Sequence, residues 1–305
     1  MAFDTTLQRP DPNDPVRYRP PAPVADGDML CWRDAIVAEI DGFRPLGLDL
    51  FRPAAAPIPV PVLIWIHGGA WLMGTNKREA PPLVHGHIGR RILEAGYALA
   101  RVTYRLSGEA PFPAQIHDVK AAVRWLRYHA DDLGLDPDRF AVWGESAGGH
   151  LAAMTALTGD TALAGDSGIL GVSDTVQAAV VWYGPSDLLT MAAQNHPQGL
   201  QDHDAPNAPE SLLVGGPVQD RKRESAIASP VTYARADAPP MLLAHGEEDR
   251  IVPVGQSREL HDRLIALGAP AELHIVPGAD HCFVGVDLDP LVTEGLQFLK
   301  RALAG

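Results

Sequence analysis

The segment Gly144-Glu145-Ser146-Ala147-Gly148-Gly149 places one serine among small residues, after the apolar run Phe140 to Trp143 and before the helix-forming stretch Ala147 to Leu157. A Gly-x-Ser-x-Gly spacing between a strand and a helix makes a nucleophile elbow. The small neighbours let strand and helix approach closely, and the tight turn pushes the serine Oγ out at the strand tip. The helix N-terminus beneath it favours developing negative charge. A serine hydroxyl is a weak nucleophile until a base takes its proton. His281 is the candidate base, in Pro277-Gly278-Ala279-Asp280-His281, a loop after the last predicted strand and before the last predicted helix. A histidine in that role needs an acid to fix its tautomer and stabilise its cation. Asp249, in His245-Gly246-Glu247-Glu248-Asp249-Arg250, follows the preceding strand and is the candidate acid. His67-Gly68-Gly69-Ala70-Trp71 ends another buried run, Val60 to Ile66. A backbone N–H from such a loop, beside the N–H that follows the serine, would hold the oxyanion of a tetrahedral intermediate.

Other polar residues compete for these roles. Asp280 adjoins His281, but adjacent side chains seldom point the same way; Glu247 and Glu248 are alternative acids. His245 and His67 read as loop braces. His85, His87, His117, His129, His261 and His274 are scattered over helices and strands as structural or solvated residues, whereas His196 and His203 lie in an insertion and are open to a substrate role. No His-x-x-x-His pattern or carboxylate cluster asks for a metal, and no cofactor is expected. Cys31 and Cys282 are the two cysteines of the 305 residues, too few for a disulfide framework or a thiolate zinc site, and in keeping with a reducing compartment. With 25 Lys+Arg against 38 Asp+Glu the net charge is -13, which disfavours nucleic acid and anionic membrane surfaces as partners. No run reaches the ~18 apolar residues of a membrane span. Met1 to Pro20 is charged and lacks the apolar stretch of an export leader, so the expected location is cytoplasmic.

The elements that must position these residues follow from hydrophobic periodicity. Cys31 to Ile40 and Pro45 to Phe51 read as two strands joined at Asp41-Gly42. Val60 to Ile66, Tyr97 to Tyr104, Phe140 to Trp143, Val176 to Tyr183, Met241 to Ala244 and Leu273 to Val276 read as buried strands. Gln115 to His129, Ala147 to Leu157, Val254 to Leu267 and Leu291 to Leu303 read as helices. Apolar strands alternating with amphipathic helices predict an α/β fold, a mostly parallel sheet with helices on both faces. Right-handed crossovers put the strand ends, and therefore the ligand, at one edge. Residues 1–30 form a proline-rich, loosely structured arm and residues 31–305 the catalytic domain. Within the latter, 186–237 is too long for an ordinary crossover and reads as a lid insertion.

Taken in order, His67-Gly68-Gly69-Ala70-Trp71, Tyr104-Arg105-Leu106, Asp118-x-x-x-Ala122-x-x-Trp125-Leu126, Asp136-Pro137-Asp138-Arg139, the serine segment, Tyr183-Gly184-Pro185-x-Asp187, His245-Gly246-x-x-Asp249 and His281 resemble the α/β-hydrolase fold. Within it they are similar to the esterases with a His-Gly-Gly loop, akin to bacterial hormone-sensitive lipase. The Trp after His-Gly-Gly-Ala is most similar to the branch with feruloyl and acetyl-xylan esterases and kynurenine formamidases. The resemblance spans about Asp41 to the C-terminus and implies oxyanion donors at the N–H groups of Gly69, Ala70 and Ala147. One departure is Ala70, where the common pattern has a third glycine.

These readings predict a serine carboxylic-ester hydrolase working through an acyl-enzyme on a small-molecule ester with a short or aromatic acyl group. Trp71, Glu145, Trp182 and Tyr183 are the candidate substrate contacts. A formamidase-like amidase and a non-catalytic binding protein of the same fold are the alternatives. The arm could pack on a neighbouring subunit, giving a homo-oligomer, or over the site.

Overall fold

A computed structural model describes Asp11, residues 13–78 and residues 81–304. Among the described residues nine strands form one sheet: β1 (Val24–Asp26), β2 (Met29–Ala38), β3 (Leu46–Pro53), β4 (Val60–Ile66), β5 (Ala98–Val102), β6 (Leu135–Glu145), β7 (Ala178–Trp182), β8 (Met241–Gly246) and β9 (Ala271–Val276). Their order is β1-β2-β3-β5-β4-β6-β7-β8-β9. The first four in that order pair antiparallel, and every pairing from β5 onward is parallel. The helices are α1 (Ile88–Glu94), α2 (Ala114–Tyr128), α3 (Ala130–Leu133), α4 (Ala147–Leu157), α5 (Pro209–Val214), α6 (Lys222–Ile227), α7 (Gly255–Ala266) and α8 (Asp289–Ala302).

The near-continuous apolar runs are strands buried on both faces, and alternation sorts their side chains into two cores. On β4, Val60, Val62, Ile64 and Ile66 join the core under α2, α4 and α7, while Leu63 and Trp65 join the one under α1 and α8. β6, β7 and β8 divide the same way. β6 is longer than its apolar centre suggests: it starts at Leu135, which pairs with Val60. Helix α4 is buried along its whole length, with Ala and Gly residues that let it lie close to β6 and β7.

The N-terminal arm departs from expectation. Residues 1–10 and 12 lie outside the described residues, but the remainder is docked. Pro15 to Tyr18 form a short 3-10 turn whose Asp14 side chain accepts from Val16 N–H. Tyr18 is buried, and its carbonyl accepts from the Trp125 indole N–H at 2.5 Å. β1 then adds an edge strand, and β2 begins at Met29, so the boundary at residue 30 falls inside a strand. Prolines suit an edge, where one row of N–H groups has no partner to lose, and a single aromatic anchor holds the segment down.

The insertion 186–237 is packed rather than loose. Ser186 and Asp187 N–H groups donate to Gln256 Oε1 at 2.7 and 2.8 Å, and Leu200 N–H donates to the Arg250 carbonyl at 2.8 Å. Truncating the arm's anchor, Tyr18→Ala, should lower the free energy of unfolding by about 3 kcal/mol. A urea midpoint equal to wild type would show that the arm is not held there.

Candidate active site

The site lies at the C-terminal edge of the parallel strands. Ser146 follows β6 directly, with φ 55° and ψ -122°, and precedes α4. Its N–H donates to the Trp182 carbonyl at 2.9 Å on the next strand, which holds the strained turn in place. The flanking glycines are there for contact. A Cβ on Gly144 would overlap the Gly148 carbonyl, and one on Gly148 would overlap the Ile66 carbonyl at the end of β4.

His281 stands over this turn. Its Nε2 lies 3.1 Å from Ser146 Oγ, and its Nδ1 lies 2.8 Å from Asp249 Oδ2. The second carboxylate oxygen, Oδ1, accepts the Ile251 and Val252 N–H groups at 2.9 and 2.8 Å. Burial pushes the Asp249 carboxyl up, but hydrogen bonds from His245 and His281 and their charge outweigh it. The group stays well below the usual carboxylate range. The structure therefore brings together three residues from loops after three strands. The rival acids are elsewhere: Glu247 and Glu248 are exposed, and Asp280 is held by Arg250. Asp280 Oδ1 also accepts the Arg250 and His281 N–H groups at 3.0 and 2.8 Å, which ties the Asp249 loop to the His281 loop.

The glycine loop turns through three successive residues of positive φ, Gly69, Ala70 and Trp71. Ala70, Trp71, Ser146 and Ala147 line one small cavity of about 20 Å³ together with Pro185, Gln201, Pro209, Glu210, Ile251 and Val252. That is room for about one water molecule. Ala147 is the first residue of α4, so its N–H has no partner within the helix. His67 stacks on Tyr104 at 4.4 Å, and the Tyr104 hydroxyl donates to the His67 carbonyl at 2.9 Å, bracing the loop from below. His245 is a brace too: its Nε2 faces the Val252 carbonyl at 2.9 Å and its Nδ1 the Ser257 hydroxyl at 2.7 Å.

Three of the four candidate substrate contacts are not in the cavity wall. Trp182 belongs to the α1/α8 core, edge-on to Trp143 at 4.9 Å and to Phe283 at 5.2 Å, because alternation along β7 turns it to the face away from α4. Tyr183 is fully buried and supports the His281 ring edge-on at 4.9 Å. Glu145 lies beneath the glycine loop, where it accepts the Gly68 N–H at 2.6 Å. Burial pushes its carboxyl up to about 7, against the pull of that hydrogen bond and of His281. Trp71 does line the cavity, and its indole N–H donates to His150 Nδ1 at 3.2 Å. His150 Nε2 lies 2.6 Å from the Ala228 carbonyl. Sequence reasoning missed His150 and Glu210. His150 directly follows the serine segment on α4, which is the one signal that pointed to it.

Known proteins that this chain is similar to are ester hydrolases. The BD-FAE family model matches residues 48–264. The chain is 34% identical over 260 residues to the probable carboxylic ester hydrolase LipM of Mycobacterium tuberculosis, covering 85% of this chain and 56% of that protein. It is 36% identical over 245 residues to the esterase LipQ of the same organism, covering 79% and 55%. The chain thus spans about half the length of these two relatives. Among solved structures, a truncated carbohydrate esterase from gut microbiota superposes with a TM-score of 0.82 at 28% identity, covering 93% of this chain and 100% of that one. The propionate-bound esterase Est2 of Thermogutta terrifontis superposes with 0.67 at 25% identity, covering 89% and 93%. The fold is that of an α/β-hydrolase esterase. The chain belongs to the BD-FAE family.

Glu145 gives a test by pH. Its carboxyl titrates higher in the folded than in the unfolded chain, so between about pH 4.5 and 7 the native state holds a proton that the unfolded state has released. Its contribution to stability is complete below that window and is lost as pH rises through it. Relative to Glu145→Gln, the wild type should lose up to about 3 kcal/mol between pH 4.5 and 7. Parallel denaturation curves for the two proteins across that window would contradict the burial argument.

Proposed function

We propose that this protein is a serine carboxylic-ester hydrolase for small esters with short acyl groups. The observation that carries the reading is the unbroken series Ser146 Oγ to His281 Nε2 at 3.1 Å and His281 Nδ1 to Asp249 Oδ2 at 2.8 Å.

In this reading His281 takes the serine proton as Oγ attacks the ester carbonyl. The carbonyl oxygen becomes an oxyanion that accepts from the N–H groups of Gly69, Ala70 and Ala147, each donor being worth ~3 kcal/mol in the transition state. The positive end of α4 adds to that stabilisation. Collapse of the intermediate breaks the ester bond, and the alcohol leaves with the proton from His281. A water deprotonated by the same imidazole attacks the acyl-enzyme, and its collapse returns Ser146 and frees the acid. Asp249, held ionised, keeps His281 in the tautomer that accepts at Nε2 and stabilises the imidazolium.

The short-acyl preference is supported by the small cavity at Ser146, by the propionate-bound Est2 relative and by the carbohydrate-esterase relative. The insertion supplies Gln201, Pro209 and Glu210 to the cavity wall, which supports its reading as a lid. Among the described residues no helix is long and apolar enough to cross a membrane. Two free cysteines, Cys31 and Cys282, are in keeping with a cytoplasmic setting.

Ser146→Ala should lower kcat/KM for p-nitrophenyl acetate by about four orders of magnitude or more, and Asp249→Asn by about four, with unfolding midpoints near wild type for the serine variant. Near wild-type turnover by Ser146→Ala would overturn the assignment.

A further inference from the structure

The glycine loop holds two adjacent non-glycine residues in the left-handed region, Ala70 at φ 57° and Trp71 at φ 56°. Such residues cost about 1–3 kcal/mol each and persist only where neighbours over-determine them. Trp71 is held at two points. Its carbonyl accepts the Ser107 N–H at 2.8 Å, and its indole Nε1–H donates to His150 Nδ1 at 3.2 Å, with the two rings edge-on at 89°. His150 lies on α4 one turn beyond Ser146, and its backbone N–H donates to the Ser146 carbonyl at 2.9 Å. The imidazole is fully buried, and its Nε2 lies 2.6 Å from the carbonyl of Ala228, the residue that ends α6 in the insertion. These two partners fix the state of the ring. A carbonyl only accepts and an indole N–H only donates, so Nε2 carries the hydrogen and Nδ1 offers its lone pair. Burial lowers the pKa of His150 to about 4, which keeps the ring neutral at pH 7.

We propose that His150 is a positioning residue for the oxyanion step: by holding the Trp71 indole it sets the backbone N–H groups of Gly69 and Ala70 against Ser146. The inference rests on the ester-hydrolase reading and adds to it a residue that touches neither the substrate nor the reacting atoms. Ser146 and His150 are four residues apart along the start of α4, so the nucleophile and the brace of the donor loop share one rigid element. The spacing between attacking oxygen and oxyanion donors is then set by that helix and not by the loop alone. The Ala228 carbonyl brings in the insertion, because it selects the tautomer that accepts from Trp71. Withdrawing that carbonyl frees the ring to take the other tautomer, whose Nδ1–H meets the indole N–H donor to donor. Placement of the insertion and alignment of the oxyanion donors are therefore coupled through one imidazole. A displacement of ~1 Å at such donors is enough to slow the reaction about 100-fold.

The test uses two amides, each of which copies one ring nitrogen. In His150→Asn, Oδ1 is bonded to Cγ as Nδ1 is and can accept from Trp71, while the Ala228 carbonyl loses its donor. In His150→Gln, the amide nitrogen can reach the Ala228 carbonyl, while the Trp71 indole loses its acceptor. Each variant leaves one buried group unpaired, so a merely structural role predicts similar losses in both. The readout is the acylation rate per reactive site at saturating p-nitrophenyl acetate in stopped flow, with the ester concentration that half-saturates it. It is taken for wild type, both His150 variants, Trp71→Phe, which removes the indole donor and keeps an aromatic ring, and the double variant Trp71→Phe with His150→Gln. Reactive Ser146 is counted by fluorophosphonate titration to its end point, so unfolded protein drops out of the rate. His150→Gln and Trp71→Phe should each slow acylation about 100-fold, the range for one lost oxyanion donor, at a half-saturating concentration near wild type. His150→Asn should retain at least about ten times the His150→Gln rate, and the double variant should be no slower than either single one, because both changes remove the same bond. Equal rates in His150→Asn and His150→Gln, a loss confined to the half-saturating concentration, or additive losses in the double variant would overturn the proposal. If His150→Gln yields no reactive sites, Trp71→Phe decides: acylation at the wild-type rate overturns the proposal, and the expected loss at unchanged half-saturation supports it. Absence of both ester cleavage and fluorophosphonate labelling in the wild type would instead strike the ester-hydrolase reading itself.

Discussion

The site depends on one steric constraint, the backbone contact between the end of β6, the start of α4 and the end of β4. Gly144 and Gly148 bring those three segments closer than any side chain permits. That contact forces Ser146 into its positive-φ conformation and lifts its hydroxyl clear of the sheet edge. It also fixes how far the Gly68–Trp71 loop, which continues from β4, stands from the serine and from the first N–H of α4. Strain of this kind persists only where neighbours over-determine it. Here the Ser146 N–H to Trp182 carbonyl bond and the all-buried α4 do so.

The remaining polar residues serve to hold the imidazole over that serine. Asp249 reaches His281 from below, with its other oxygen occupied by two backbone N–H groups. Tyr183 supports the ring edge-on, and the Arg250–Asp280 pair clamps the two loops that carry acid and base. Left-handed backbone clusters in the same region, at Ala70, Trp71, Ser146, Tyr183, Cys282 and Phe283. Conformational cost is concentrated at the strand tips, and the two cores under α2, α4, α7 and α1, α8 supply the stability that offsets it.

Much of this was legible in the chain because the relevant signals are local. Buried strands announce themselves as apolar runs, and Ser146, Asp249 and His281 each sit in a short loop beside one. What was not legible is what depends on facing. Trp182 and Tyr183 looked like pocket aromatics, but a run that is apolar on both sides does not reveal which residue faces which core, and alternation puts Trp182 with Trp143 and Phe283. Glu145 is adjacent to the serine in sequence yet points beneath the glycine loop. The proline-rich arm read as loose because proline content says nothing about a single anchor such as Tyr18. Glu210 was hidden by an insertion without periodicity, whose return to the sheet edge is set by long-range hydrogen bonds to Gln256 and Arg250.

The central claim is that the Ser146 oxygen forms a covalent bond to the acyl group. The most direct measurement is rapid acid quench during turnover of p-nitrophenyl acetate, followed by peptide mapping by mass spectrometry. The account predicts a transient acetyl adduct on the peptide that contains Ser146, localised to that residue and decaying as substrate is exhausted. An adduct on another side chain, or steady turnover with product release in a single phase and no adduct at any time point, would contradict it.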